Sequence, residues 1–370
     1  MKSYIICTSP KGKSVSDYFF SIAKQLKKEG NHVVLVVDQN YSGEKIIEGI
    51  EVLTWPSIRP IKVKDFIFFY KVCKKYKPDV TFSQYGSTNI VLLVSWLLKI
   101  PYRVNYWHTM FKAVEIDVQK SKIKTRINHF FKKNILKQFA THIFINSHEN
   151  KAQLIHHYNI APDKITVFHL LIQDSFKNAT INSFSERNQQ ISFVGRFDKS
   201  KGQESVIDQI PEIIATYPNL IFTFVGHGVE KNRLEQKCND LNITSNVRFL
   251  GFKKTYEIYQ IMALSLININ ASLEEAFGLV NVEALSCGTP IIAPEIGGIK
   301  EILRNGENGY FFDPSAKSDL LKKITLILNN WDFHSKNAKM CFDENFSIES
   351  SKLLDNQIKK MIELLETYPT

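Results

Sequence analysis

The chain has 370 residues, 44% hydrophobic and 23% charged, with a net charge of +10. That size and balance exclude a disordered or fibrous polypeptide and favour two folded domains. The five cysteines, Cys7, Cys73, Cys238, Cys287 and Cys341, are scattered with no CxxC spacing, which argues against zinc and for a reduced compartment.

Along the first half, Tyr4 to Thr8 and Val33 to Val37 read as strands separated by a helical stretch from Ser16 to Lys28. No charged leader with a long apolar core is visible there, so a cytoplasmic protein is expected. Val80 to Phe82 and Ile143 to Ile145 read as later strands, and the alternation predicts a parallel sheet with helices on both faces. The loop after the first strand, Ser9 to Ser14, carries Gly12 as a candidate substrate contact. Its GKS string ends like a phosphate-cradling P-loop, but Cys7 stands where that motif needs a glycine, so a nucleotide hydrolase is not expected. The longest apolar stretch, Ile90 to Leu98, is interrupted by Ser95 and is too short to span a bilayer.

Two segments of this half combine basic and apolar residues. Asp65 to Lys77 contains Phe66, Phe68 and Phe69, which suit a core equally well. Lys120 to Phe139 interleaves Lys122, Lys124, Arg126, Lys132, Lys133 and Lys137 with Ile123, Ile127, Phe130, Phe131 and Leu136. Such a helix either packs on a core with a solvated basic face or lies on an anionic membrane surface. Met1 to Leu170 holds 26 Lys and Arg against 12 Asp and Glu, or +14, and the remainder 21 against 25, or −4, so the basic excess belongs to the first half. No compact nucleic-acid motif accompanies it, and no nucleic-acid partner is expected. His108, in NYWHTMF after an apolar strand, is either a structural histidine beside Trp107 or a site residue.

Ile172 to Gln190 is polar and reads as a linker. Beyond it, Ile191, Phe193 and Val194 form a strand running into Gly195, followed by Arg196 and Lys201. A guanidinium fork and an ammonium in a loop after a strand suit a diphosphate. Two further strands end in Gly226, His227 and Gly228, and in Phe249, Leu250 and Gly251. Glycine at the carboxyl edge of a parallel sheet permits close backbone approach to a ligand.

Then comes SLEEAFGLVNVEALSCGTP, Ser272 to Pro290, with Glu275 and Glu283 around a glycine-bearing helix start. Leu279, Val280, Val282 and Leu285 fit one side of a helix from near Gly278 to near Cys287, stopped by Gly288 and Pro290. On a continuous helix the two carboxylates would lie about 12 Å apart. Glycosidase pairs sit roughly 5 to 9.5 Å apart, so these two suit the ends of a longer ligand better than a shared bond.

The strings VGRFDKSKG, FTFVGHG, VRFLGF, EEAFGLVNVEALSCGTPIIA, GGIKEIL and NGENGYFF together resemble the family 4 retaining glycosyltransferases of the GT-B fold. The resemblance implies an α/β chain with two doubly wound Rossmann-like domains facing an interdomain cleft. Residues 1–172 would bind the acceptor, 173–190 link, 191–346 bind a nucleotide-sugar donor, and the helix within 347–370 cross back to the first domain. It gives Arg196 and Lys201 to the donor diphosphate, Glu275 to the sugar hydroxyls and Glu283 to the ribose. Backbone from Ala276 and Phe277 through Gly278, Leu279 and Val280 would contact sugar and phosphate, with Gly195, Gly226, Gly228, Phe249 and Leu250 also at the donor site. His108 matches the family's histidine near the reacting sugar. Family members often carry a glycine pair where this chain has only Gly12. No DxD string occurs, so neither metal nor cofactor is implied. A UDP-sugar donor and a glycan or lipid-linked acceptor are the implied partners. A GT-B protein with epimerase or phosphorylase activity, or with none, is the alternative.

Overall fold

The structure is a computed structural model that describes residues 1–9, 14–108, 110, 122–174 and 182–367, with backbone alone at 122–130 and 351. The chain divides into two compact units. One comprises Met1–Phe111, Val118–Gln173 and Ile348–Thr370, and the other Lys112–Asp117 and Asp174–Ser347.

The first unit is built on eight strands: β1 (Ser3–Cys7), β2 (His32–Val37), β3 (Ile46–Ile47), β4 (Ile50–Thr54), β5 (Val80–Gln84), β6 (Tyr102–Trp107), β7 (His142–Ile145) and β8 (Ile165–Val167). Their order is β3-β4-β2-β1-β5-β6-β7-β8. All pair in parallel except β3, a two-residue edge strand antiparallel to β4. Helices α1 (Ser14–Lys28), α2 (Val63–Tyr76), α3 (Thr88–Leu97), α4 (Lys122–Phe139) and α5 (His148–Tyr158) connect them. A parallel sheet covered on both faces needs continuous apolar strands. Tyr4 to Cys7 and Val33 to Val37 supply them and are buried throughout. Phe69, Val72 and Cys73 of α2 pack with Trp55, and Phe66 and Phe68 lie against the same core.

The second unit carries β9 (Gln190–Val194), β10 (Ile221–Val225), β11 (Val247–Phe249), β12 (Ile267–Ile269), β13 (Ile291–Ala293) and β14 (Gly309–Phe311). They pair in parallel in the order β11-β10-β9-β12-β13-β14. Its helices are α6 (Gln203–Ile207), α7 (Ile210–Thr216), α8 (Lys231–Asp240), α9 (Thr255–Ala263), α10 (Leu279–Ser286), α11 (Asp319–Asn329) and α12 (Trp331–Asn345). The last helix, α13 (Ser351–Thr367), belongs to the first unit, where the Ile348 amide donates to the Ile172 carbonyl at 3.0 Å. Strand order reverses between β1 and β5 in one sheet and between β9 and β12 in the other. At such switch points the loops leaving the carboxyl ends diverge and open a crevice for ligands.

From Asn182 onward the polar stretch to Gln190 packs on the second unit. Arg187 is buried and donates to the carbonyls of Ser265 at 2.7 Å and Cys287 at 2.8 Å and to Thr289 Oγ1 at 2.6 Å. The stretch is polar because a guanidinium is needed to satisfy those inward-facing oxygens; burial pulls its pKa down to about 10. Helix α10 is covered on more than its apolar side, since Asn281, Val282, Ala284, Leu285 and Ser286 are all buried. The helix lies against α9, α12 and β13, which leaves it little solvent face.

Candidate functional site

The second unit's switch point gathers the loops after β9 and β12. Beyond β9, the Gly195 amide donates to the Val225 carbonyl and the Gly226 amide to the Gly251 carbonyl, both at 2.9 Å, so three strand ends are held together. A Cβ on Gly226 would stand 1.9 Å from the Gly195 carbonyl oxygen, and one on Gly228 2.1 Å from that of Phe197. The close approach these glycines permit is therefore to neighbouring backbone of the same unit. Phe249 stacks on Phe224 with ring centroids 5.2 Å apart, while Leu250 is partly exposed.

Arg196 is exposed, its Nη1 3.3 Å from Asp198 Oδ2. The other Asp198 oxygen accepts from the Ser200 amide at 3.0 Å and so caps a short turn, Lys199–Lys201. That turn delivers Lys201 to the loop after β12. There Lys201 Nζ lies 2.8 Å from Glu275 Oε2 and 3.4 Å from Ser272 Oγ, and the Ser272 hydroxyl donates to the same carboxylate oxygen at 3.3 Å. Both charged side chains are largely shielded, 24% and 18% exposed.

Glu275 precedes α10 rather than lying on it. The Gly298 amide donates to its carbonyl at 3.1 Å, and a Cβ on Gly297 would reach that oxygen at 1.9 Å. The chain turns into the helix through Gly278 at φ +99°, a conformation that glycine tolerates. Only Leu279 to Glu283 therefore follows the helical rise, and the expected spacing of about 12 Å from a continuous helix does not apply. Ala276 is half-buried and Phe277 fully buried, its ring edge-on to Phe346 at 5.9 Å. Leu279 and Val280 head the helix, where amides lack intrahelical partners, and Glu283 lies half-buried one turn on.

Sequence reasoning missed the residues that set this geometry: Ser272, Asp198, Gly297, Gly298 and Asn281. Asn281 is fully buried in α10, and both its amide atoms lack hydrogen-bond partners among the described residues. A polar residue inside an apolar helical run was the available signal.

In the first unit, His108 follows β6. Gln84 Nε2 donates to the Cys7 carbonyl at 3.2 Å, which turns Gln84 Oε1 toward His108 Nε2 at 2.9 Å. The imidazole thus carries its proton on Nε2 and offers Nδ1 as an acceptor. Nδ1 has no hydrogen-bond partner among the described residues. Tyr85 and Tyr106 stack on the ring, with centroids at 4.5 and 4.6 Å. Burial, helped by the Lys132 charge, pulls its pKa down to about 3. A pocket of about 400 Å³ is lined by Thr8, Asp38, Trp55, Arg59, Gln84 and Tyr85 among others, and the last two named contact the His108 ring. Gly12 lies outside the described residues. The Lys120–Phe139 expectation falls partly outside them too. Where side chains are described, Leu136 is buried, Ile135 and Phe139 pack on the core, Phe131 is exposed, and Lys132 Nζ lies 4.4 Å from the Trp107 ring centroid.

Among the described residues no helix is long and apolar enough to cross a membrane, and no group of three or more His, Cys, Asp or Glu is arranged to hold a metal.

Two family models match: Glycosyltransferase Family 4 over residues 15–175 and Glycosyl transferases group 1 over residues 174–341. A glycosyltransferase of Methanocaldococcus jannaschii is 27% identical over 215 residues, covering 57% of this chain and 54% of its own. The D-inositol 3-phosphate glycosyltransferase of Corynebacterium jeikeium is 31% identical over 150 residues, 38% of this chain and 36% of its own. The chain thus spans about half, or less, of the curated relatives it matches. Among solved structures, HepE of Anabaena in complex with UDP-glucose matches with a TM-score of 0.76 at 19% identity, over 98% of this chain and 100% of that one. The two models together cover both sheets, and the chain belongs to the family 4 glycosyltransferases of the GT-B fold.

Proposed function

We propose that the protein transfers a sugar from a nucleotide-diphosphate donor, with a UDP-sugar the first choice, to a glycan or lipid-linked acceptor in surface polysaccharide or glycolipid assembly. The observation that carries this reading is the meeting of Lys201, Ser272 and Glu275 at the β9/β12 switch point, with Arg196 and the start of α10 close by in sequence. Transfer leaves negative charge on the departing diphosphate. Arg196, Lys201 and the first amides of α10 supply fixed positive potential for it, and preorganised charge lowers the barrier because little reorganisation is needed during reaction. Glu275 accepts hydrogen bonds from donor-sugar hydroxyls, and Glu283 binds the ribose. His108 accepts one from a substrate hydroxyl at Nδ1.

In this reading the anomeric configuration is retained and no metal takes part. The acceptor hydroxyl attacks from the face the diphosphate leaves, the old C–O bond breaks as the new one forms, and the departing phosphate takes the acceptor proton. Residues 1–172 serve the acceptor and 191–346 the donor, at the inner face of a membrane.

Thermal unfolding with UDP, GDP and ADP, followed by transfer from the matching α-linked nucleotide sugar, tests the reading. UDP is expected to raise the midpoint most and the product to carry an α linkage in its proton coupling. If no nucleotide moves the midpoint, the donor site is misassigned; a β linkage sinks retention alone.

A further inference from the structure

We propose that the pocket of the first unit recognises the acceptor by an anionic group, a carboxylate or phosphate carried on a sugar or polyol, which Arg59 holds. Calling the ligand the acceptor rests on the transferase reading; the preference for an anion rests on the pocket itself. Its walls come from the loops at the carboxyl ends of β1, β4 and β5, and β1 and β5 flank the point where strand order reverses in this sheet.

Those walls hold an unused hydroxyl and a strained backbone. Thr8, directly after β1, is 5% exposed, and its Oγ1 has no hydrogen-bond partner among the described residues. A buried hydroxyl left unpaired costs stability, which a polar ligand atom in the pocket recovers. Tyr85 sits at φ +49°, a left-handed conformation that disfavours a bulky side chain. It is held there by its ring stacked on His108 and by its carbonyl, which accepts from Thr88 Oγ1 at 3.0 Å. Strain of this kind persists only where the surroundings fix it, and it clusters where ligands are held. Gln84, tied to the Cys7 carbonyl and to His108, sets a ligand in the pocket beside the imidazole.

Charge selects the ligand. Arg59 is exposed and lines the pocket from the loop after β4, and its guanidinium has no ion-pair or hydrogen-bond partner among the described residues. The loop is braced, because the Ile61 amide donates to the Arg59 carbonyl at 2.9 Å and Lys64 Nζ to that of Pro56 at 2.8 Å. Asp38, the one acidic residue lining the pocket, already has an interaction of its own. A planar fork of N–H donors fits a carboxylate or phosphate through two parallel bonds, which a neutral hydroxyl cannot match. A purely apolar ligand is disfavoured, since it would cover Arg59 and Thr8 Oγ1 without pairing them. The volume of about 400 Å³ suits a sugar with its substituent.

Titration calorimetry of the full chain with glucose, glucuronate and glucose 6-phosphate, no nucleotide present, tests this; the two anions separate carboxylate from phosphate. At least one anion is expected to bind at least about tenfold more tightly than glucose, the size of a hydrogen bond to a charged group. Arg59→Gln should remove that advantage while keeping the parent melting temperature. Thr8→Val should weaken the same anion without lowering the melting temperature, because the hydroxyl it removes is unpaired in the free protein. Glucose binding as tightly as the anions overturns the proposal, as does binding of neither anion, or anion affinity untouched in Arg59→Gln. A saturating anion that abolishes a UDP-induced rise in the melting midpoint overturns it too, by moving the anion to the donor loop. Anions that bind through Arg59 in a chain that UDP does not stabilise leave the pocket standing and sink the donor reading instead.

Discussion

Lys201 and Glu275 are 74 positions apart in sequence yet share a 2.8 Å contact, with Ser272 bridging them. In the proposed reading, a lysine held this way is aimed before a donor arrives, so little side-chain entropy is left to lose on binding. Lys201→Ala and Glu275→Ala should each lower turnover by at least about a hundredfold, the size expected when one preorganised stabiliser is lost. The double variant should be barely slower than the worse single one, because the two side chains act as a unit. Steady-state kinetics on the three variants check this, and near-normal turnover in either single variant defeats the assignment. His108 makes a prediction of another kind. Its native pKa of about 3 lies below the usual 6.5. Between these values the unfolded chain binds a proton that the native state does not, so this residue's contribution to stability falls as the pH is lowered from about 6.5 to about 3 and is constant above that range. Urea midpoints at pH 7 and pH 4 should fall less in His108→Gln than in the parent; equal falls would show that the ring is not held neutral.

At the scale of elements, the loop from Ser272 to Gly278 is positioned by a short 3-10 turn, Gly297–Glu301, beneath it. A Cβ on Gly298 would come within 2.6 Å of the Ala276 carbonyl oxygen, so Gly298→Ala must push the loop that carries Glu275. Misplacing a catalytic group by about 1 Å can cost about a hundredfold in rate. The variant should therefore lose turnover on that scale while keeping the far-ultraviolet circular dichroism of the parent, and unchanged turnover would mean that the loop is set by other contacts. The GGIKEIL string was legible only as part of a resemblance, because a clash between residues some twenty positions apart leaves no local pattern. The ends of α10 were legible from Gly278 and Gly288, which punctuate a helix by backbone geometry alone. Its burial on nearly all sides was not, since α9 and α12 come from distant parts of the chain. Likewise, the polarity around Arg187 looks like that of a linker until the carbonyls it satisfies are brought alongside. The short edge strand β3 offers two residues of pattern, too few to read.

For the molecule as a whole, each unit closes its own apolar core: Phe193, Phe222 and Phe224 with their neighbours in the second, and Ile5, Val34, Trp55 and Phe69 with theirs in the first. Units with separate cores open separately, and a ligand protects the unit whose native state binds it. The two-domain reading followed from chain length and strand periodicity, since both sheets are built from continuous apolar runs. The pairing of Lys201 with Glu275 became legible only once β9 and β12 were adjacent. If the donor binds at that switch point, UDP at about a hundred times its dissociation constant stabilises the second unit by about 2.7 kcal/mol. Hydrogen exchange read by mass spectrometry should then slow about a hundredfold in peptides spanning Gly195 to Gly202 and Ser272 to Glu283. Peptides from β2 and β4, on the far side of the first sheet from β6, should exchange as before. Protection confined instead to the peptides around Trp55 and Tyr85 would move the nucleotide to the pocket of the first unit and remove the donor role from Lys201 and Glu275.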